Sequence, residues 1–392
     1  MVGGHNERMG MTRYETAILG AGIAGASLAW RLAVAGHRVV LLEREAQSGY
    51  HATGRSAALF MESYGPPQVR ALTRASRAFY GAPPAGFAPA PLMQPRGALY
   101  VAWHGQADAL AALHAELAET TPGLQVLDAA ATVARAPCLR ADTVHASLYD
   151  PDTADLDVHA ILQGFLRGLV ASGGTWRAAC APTAAAHDGQ AWTLSLPGGE
   201  RLRAATVVNA TGAWVDETAA LFGARAIGIQ PCRRSAFTFA LPAGVDASRW
   251  PAISGVDEAE GWYIKPDAGQ MLGSPANADP VPPHDVLPEA LDIATGIHRI
   301  EAATTLRIRR PSATWAGLRS FVADGEMVVG FDEACPGFFW LAGQGGYGIQ
   351  SAPGVSQLAA SLVLRQRLPD ALAAQGVDAA ALSPRRLRRL HP

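Results

Sequence analysis

The stretch that decides the fold is Tyr14-Glu-Thr-Ala-Ile-Leu19 followed by Gly20-Ala-Gly22-Ile-Ala-Gly25-Ala-Ser27. A short, largely apolar run ends at a glycine. Three glycines then fall in GxGxxG spacing, and a helical pattern continues through Leu28, Leu32 and Val34 to Gly36. A second apolar run, Arg38–Leu42, ends in Glu43. Strand, glycine turn, helix, strand and acid form the dinucleotide-binding fingerprint. Gly20 permits the tight turn, Gly22 lets backbone approach a pyrophosphate, and Gly25 lets the helix sit close to the sheet. Phosphates then meet free N–H groups at the helix N-terminus. Glu43 is placed to accept hydrogen bonds from an adenosine ribose. The fingerprint alone does not separate FAD from NAD.

Outward from this unit, helical periodicity predicts helices over Gln68–Tyr80, Ala107–Leu117 and 155–172, the last capped by Asp155 or Asp157. Between them, 82–95 reads as a Pro/Ala/Gly loop and Ala98–Trp103 as a strand. Trp176–Cys180 reads as a strand, and Ala191–Leu196 with Leu202–Ala205 as a hairpin across Pro197-Gly-Gly199. Ala205–Asn209 is a buried-looking strand running into Ala210-Thr-Gly212-Ala-Trp214. Residues 229–273 are β-rich, and 282–300 gives a loop and then a helix. Gly325–Gly330 and Gly337–Ala342 are strand-like, Gln344–Gly348 is a glycine turn, and a helix is expected over Val355–Leu364. The simplest organisation is an α/β nucleotide domain in three pieces, 14–80, 155–225 and 315–370. An α+β substrate domain, 81–154 and 226–314, interrupts it on a mixed or antiparallel sheet. Residues 1–13 and 384–392 read as flexible ends.

Composition agrees. A chain of 392 residues with 49% apolar residues is long enough for two domains with substantial cores. A formal charge of −2 gives no field to steer nucleic acid. Cys138, Cys180, Cys232 and Cys335 fall in no metal-like spacing and read as reduced, structural thiols, so no metal site is expected. No secretory signal or transmembrane run is apparent, which points to the cytoplasm. The arginines at 385, 386, 388 and 389 read as a solvated end, with contact to an anionic membrane surface as the alternative.

The opening fingerprint, Val208-Asn-Ala-Thr-Gly212 and Gly343-Gln-Gly-Gly-Tyr-Gly348 together resemble the glycine-oxidase and D-amino-acid-oxidase superfamily. More closely, the chain resembles the bacterial D-arginine dehydrogenase group. Glu43-Arg-Glu-Ala-Gln-Ser-Gly-Tyr-His51, Thr53-Gly-Arg-Ser-Ala-Ala58, Arg233-Arg-Ser-Ala-Phe237 and Tyr263-Ile-Lys-Pro-Asp267 carry that likeness. So do Gly273-Ser-Pro-Ala-Asn-Ala-Asp-Pro280, Trp315-Ala-Gly-Leu-Arg-Ser-Phe-Val-Ala-Asp324 and Ser383-Pro-Arg-Arg386. The resemblance implies a Rossmann-like FAD-binding domain of the D-amino-acid-oxidase type and noncovalent FAD. It also implies hydride transfer from a D-amino acid Cα to flavin N5, and electron delivery to a quinone-like acceptor. The imino acid formed would hydrolyse to a 2-oxo acid and ammonia.

It also implies residue roles. Arg234 and Arg319 match the cations that hold a substrate carboxylate, Tyr64 and Tyr263 the tyrosines beside it, and Gly346 a carbonyl that holds the amine. Arg233, adjacent in a probable strand, is expected to point the other way. Gly20, Gly22, Ile23, Ala24, Gly25, Glu43 and Arg44 would hold the nucleotide, with His51, Thr53, Gly54, Arg55, Ser56 and Ala57 along the flavin and pyrophosphate. Asn209 to Gly212 is the second cofactor strand, with Ala210, Gly212 and Trp214 as cofactor-binding residues. Gly345, Gly346, Tyr347, Gly348, Ile349 and Gln350 lie beside the flavin, with Tyr347 also in the substrate pocket. The group's histidine, threonine and glutamate selectors are replaced here by Leu59, Met61 and Ala98. An uncharged or bulky D-amino acid is therefore expected over D-arginine. Oxidation of an N-alkyl, cyclic or otherwise modified amino acid, and an idle flavoprotein acting as a binding module, stand as alternatives. Lys265, the one lysine, reads as a solvent or interdomain residue over an oxygen-activating one.

Overall fold

A computed structural model describes residues 11–256 and 261–388. The fingerprint folds as its sequence dictates. Thr12–Leu19 is a strand, Ile23–Val34 a helix and Val39–Leu42 the next strand, paired in parallel with the first. Gly20 has φ +99°, and a Cβ there would lie 2.5 Å from the Ala210 carbonyl oxygen. That turn demands glycine for both conformation and space.

These elements belong to an eight-stranded sheet. Its main path runs Ala184–His187, Trp192–Ser195, Arg201–Asn209, Thr12–Leu19, Val39–Leu42, Thr175–Arg177. Phe338–Ala342 pairs with Arg201–Asn209 and with Val328–Phe331. The parallel strands at its centre are apolar and fully buried, as strands covered on both faces must be. The helices Ile23–Val34, Pro67–Gly81, Val158–Ala171 and Gly348–Val363 pack into one core on one side.

A nine-stranded mixed sheet forms the second layer. Its path runs Asp279–Pro280, Gln230–Phe239, Gln270–Ser274, Tyr263–Asp267, Ala252–Gly255, Ala98–Trp103, Val144–Asp150, Gln125–Asp128. Ala313–Phe321 pairs with Gln230–Phe239. That strand carries the Trp315–Asp324 motif, so the chain from 315 to 321 lies in this sheet and not in the nucleotide sheet. A three-stranded sheet, Leu59–Phe60, Ala154–Leu156 and Met93–Pro95, bridges the two layers. The α/β architecture with an interleaved mixed sheet is as expected.

Several local expectations shift. Asp157 is the helix cap, its carboxylate accepting from Ala160 N at 2.8 Å. Asp155 instead sits in a strand and takes two cations, Lys265 at 2.8 Å and Arg96 at 2.7 Å. Lys265 is 3% exposed, so it is no solvent lysine but a brace between two sheets. The 82–95 loop ends in a strand, Met93–Pro95. The last long helix begins at Gly348 and not at Val355, carrying Pro353 inside it.

The ends are shorter than expected. Thr12 and Arg13 are already in the first strand. Arg385–Arg388 is a short helix with Leu387 buried, and Arg386 and Arg388 pair with Asp324 and Asp332, each at 2.7 Å. These arginines are spent on carboxylates, so this part of the tail is docked. Residues 1–10 and 389–392 lie outside the described residues, Arg389 among them. All four cysteines are buried free thiols, and burial pushes the Cys138 thiol up to about 12. Among the described residues no helix is long and apolar enough to cross a membrane, and no cluster of metal-ligating side chains occurs.

Candidate active site

One cleft of about 490 Å³ runs between the two large sheets, within the 300–1,000 Å³ span of small-molecule sites. Its nucleotide end is built from the fingerprint turn. Gly20, Gly22, Ile23, Ala24, Glu43, Arg44, His51, Thr53, Arg55, Ser56, Ala57, Ala210, Gly212 and Trp214 all line it. The helix starting at Ile23 has no side-chain cap and no acid in its first turn. Its Ile23 N–H reaches Thr53 Oγ1 at 3.0 Å, tying the 51–57 loop to the turn. Glu43 accepts from Ala21 N at 2.7 Å with one oxygen and from Glu45 N at 2.9 Å with the other. Arg44 lies 4.4 Å over the Trp214 ring, and the His51 ring packs on the same indole at 4.5 Å. His51 also reaches Glu45 at 2.9 Å, a bond that helps hold that carboxyl below its usual range.

Arg55 fastens this end to the opposite wall. Its guanidinium donates to the Val286 carbonyl at 3.0 Å and the Ala316 carbonyl at 3.1 Å, and pairs with Asp285. Trp315 Nε1 donates back to the Arg55 carbonyl at 3.2 Å.

The other end is built on the nine-stranded sheet. In the antiparallel pair Cys232 faces Arg319 and Arg234 faces Gly317. Arg234 and Arg319 are therefore diagonal neighbours on one face. Arg233 points to the other face and meets Asp279, Glu289 and Asp292. Burial, with the Arg319 charge beside it, pulls the Arg234 pKa down to about 10, so it remains a cation at neutral pH. Burial works on Arg319 in the same direction. The hydroxyls of Tyr64, Tyr263 and Tyr347 outweigh it and hold the pKa above the ordinary arginine value. Arg319 donates to Tyr64 Oη at 3.1 Å, and Arg234 donates to the Asn277 carbonyl.

The turn before the last long helix completes this end. Gly345 N donates to the Ser320 carbonyl at 3.0 Å, stitching the turn to the arginine strand. A Cβ on Gly346 would lie 2.6 Å from Arg319 Cζ, so the guanidinium rests on bare backbone there. The helix beginning at Gly348 has no side-chain cap and no acid in its first turn. Two helix N-termini, neither with an acid in its first turn nor a side-chain bond from its own N-cap residue, thus aim positive partial charge at one cleft.

Arg234, Tyr263, Arg319, Gly345, Gly346, Gly348 and Ile349 line the cleft. Tyr64 meets it through Arg319, and Tyr347 packs edge-on to Tyr64 at 5.1 Å. Gly25, Gly54 and Gln350 stand behind it. Gln350 is buried and bonds Thr73 Oγ1 at 3.1 Å and the Tyr64 carbonyl at 3.3 Å. Leu59, Met61, Ala98 and Lys265 are not among the lining residues. Ala98 is 2% exposed inside the sheet, opposite Asp150 and Ala252. Sequence reasoning missed Asn277, which holds Arg234, and Ser63 and Asp150, whose only signal was an ordinary polar residue in an unassigned loop and strand.

Residues 15–362 match the family model for FAD dependent oxidoreductases. The chain belongs to that family. Among solved structures, glycine oxidase from Geobacillus kaustophilus is similar at 21% identity and TM-score 0.81, over 95% of this chain and 98% of that one. L-proline dehydrogenase from P. horikoshii is similar at 18% identity and TM-score 0.79, over 97% and 99%. L-amino acid deaminase from Proteus vulgaris is similar at 14% identity and TM-score 0.79, over 96% and 97%. Identities this low establish a shared fold. The glycine turn that a Cβ would fill and the two acid-free helix N-termini fit the pyrophosphate and the ring of FAD, held noncovalently. This is an FAD-dependent oxidoreductase.

Proposed function

We propose that this oxidoreductase dehydrogenates a D-amino acid with an uncharged side chain, giving an imino acid that water hydrolyses to a 2-oxo acid and ammonia. The observation that carries this reading is the pair Arg234 and Arg319. Two half-buried guanidiniums share one wall of the flavin cleft, and the cleft's carboxylates, Glu43, Glu45 and Glu217, sit around the phosphate turn and Trp214. Their protein partners are tyrosine hydroxyls and a carbonyl. Such a wall calls for an anion, and arginine's planar fork suits a carboxylate.

FAD, when bound, accepts the two electrons of the reaction. The chain's own work is binding, orientation and proton control. Arg319 and Arg234 anchor the carboxylate, with the Tyr64 and Tyr263 hydroxyls completing its shell. The Gly346 carbonyl accepts from the amine. The two fixed cations disfavour an ammonium group beside them and so favour the neutral amine that oxidation needs. Its proton leaves through water, because among the described residues no histidine or carboxylate lines this end.

A cationic side chain would bring a third positive charge to a wall already holding two, which supports an uncharged substrate over D-arginine. The D configuration is supported by the long motif matches to the D-arginine dehydrogenase group, as are a quinone-like acceptor and a cytoplasmic site. Anaerobic mixing with D- and L-amino acids, sarcosine and D-proline tests the reading. Fastest bleaching of the flavin band by D-leucine, D-methionine or D-phenylalanine is the expected result. A clear win for D-arginine, an L-amino acid or a secondary amine would overturn it.

A further inference from the structure

Tyr64 follows Ser63, and Ser63 is where the turn Met61–Gly65 is fastened to the nine-stranded sheet. The Ser63 hydroxyl lies 2.6 Å from Asp150 Oδ2 and 2.9 Å from Tyr100 Oη. All three groups are buried: Asp150 is 1% exposed, Ser63 5% and Tyr100 8%. Asp150 forms no ion pair with any described residue. Its other oxygen accepts from Asp152 N at 3.0 Å. An ionised carboxylate in such a place is costly unless its hydrogen bonds are made.

The directions of these bonds follow from valence. The Asp150 oxygen is the acceptor in the Ser63 bond, so Ser63 spends its single proton there. Ser63 must then accept from Tyr100. Burial pushes the Tyr100 phenol well up, which keeps it a donor. The order is Tyr100 to Ser63 to Asp150, with no hydroxyl left to rotate.

The same turn is held from the cofactor side. Gln350, in the first turn of the helix that opens at Gly348, donates to the Tyr64 carbonyl at 3.3 Å and accepts from Met61 N at 3.4 Å. Tyr64 therefore stands between two fixed points, one on each layer. Its hydroxyl accepts from Arg319 at 3.1 Å.

We propose that Tyr100, Ser63 and Asp150 are positioning residues that set the Tyr64 hydroxyl against Arg319 and so tune the affinity of the carboxylate site. They touch neither substrate nor flavin, and their effect passes through one side chain. This rests on the carboxylate reading of Arg319 proposed above.

Benzoate, a carboxylate that cannot be oxidised, serves as the probe, followed by its perturbation of the bound flavin spectrum. Ser63→Ala is expected to weaken benzoate binding and raise KM by roughly 10- to 100-fold, the worth of a lost charge-assisted hydrogen bond. The kcat value should stay within about threefold, because no group acting only in the transition state is removed. Tyr64→Phe should likewise weaken benzoate binding and raise KM, and the double variant should bind benzoate no worse than either single one. Tyr100→Phe, which leaves the Ser63–Asp150 bond in place, should show a smaller effect and covers the case in which Ser63→Ala fails to hold FAD. Unchanged benzoate binding in both Ser63→Ala and Tyr100→Phe overturns the inference, as does a fall in kcat as large as that in kcat/KM, or effects that add to those of Tyr64→Phe. A wild-type protein that binds no benzoate overturns the carboxylate reading first, and this inference with it.

Discussion

Gly346 shows how one atom decides what a site holds. Its missing Cβ is the space in which the Arg319 guanidinium lies, at a projected 2.6 Å. Gly346→Ala would displace the guanidinium or the turn, while leaving the distant pyrophosphate cradle at Gly20 and Ile23 intact. The expected outcome is retained flavin colour with kcat/KM for the best substrate lowered by about 100-fold or more. Steady-state kinetics on flavin-replete protein checks it. At this scale the sequence was informative wherever a residue type has a narrow use. The glycines of the turn, Glu43 and the alternation of Arg233 and Arg234 were legible because spacing alone constrains them. Asn277, Ser63 and Asp150 were not, because common polar residues acquire their roles only from partners far along the chain. Leu59, Met61 and Ala98 were singled out by position in a motif, and Ala98 proves to be packed inside a sheet.

The last long helix teaches the same lesson for elements. Read locally, Pro353 should end a helix or precede one, and a start at Val355 follows. The structure runs the helix through it from Gly348. Proline removes the bond to the carbonyl four residues back, which is that of Ile349. The buried Tyr80 hydroxyl, on the helix Pro67–Gly81, donates to that carbonyl instead. Next door, Gly354 N donates to Ser76 Oγ at 2.9 Å. The compensation lies on another helix, so no local window of sequence contains it. Tyr80→Phe should leave the Ile349 carbonyl buried without a donor and cost about 1–3 kcal/mol. Urea unfolding of the holoprotein measures that loss. A change under about 0.3 kcal/mol would show that the proline is accommodated some other way.

For the whole molecule, the alternation of α/β and β-rich segments was enough to foresee two interleaved layers. Chain termini were the weakest part of that reading. Four arginines near the end suggest a solvated tail, yet Arg388 closes over Asp332, whose side chain is 1% exposed. Burial pushes the Asp332 carboxyl up, but Trp340 Nε1, Ala334 N and Arg388 outweigh it and hold its pKa below the usual value. A depressed carboxylate stabilises the fold above its unfolded-state range and loses that contribution as pH falls through the lowered value. A chain ending at Ser383 should thus be less stable at pH 7 by about 1–3 kcal/mol, the cost of leaving the buried Asp332 carboxylate short of a charged donor. The gap to the full chain should begin to narrow as pH drops below about 4, the ordinary carboxylate range, and go on narrowing through the lowered Asp332 value, leaving only the share owed to buried Leu387. Thermal unfolding of both chains from pH 7 to pH 3 reads the difference, and an unchanged gap at the acid end would show that Arg388 acts through packing alone.

Arg55 carries a consequence for how the two layers answer to each other. It belongs to the loop that follows Glu43, yet its guanidinium is what spans the carbonyls of Val286 and Ala316 on the far wall. One side chain is thereby a rivet through both halves of the molecule, and any displacement of the loop that bears it is transmitted to the opposite rim.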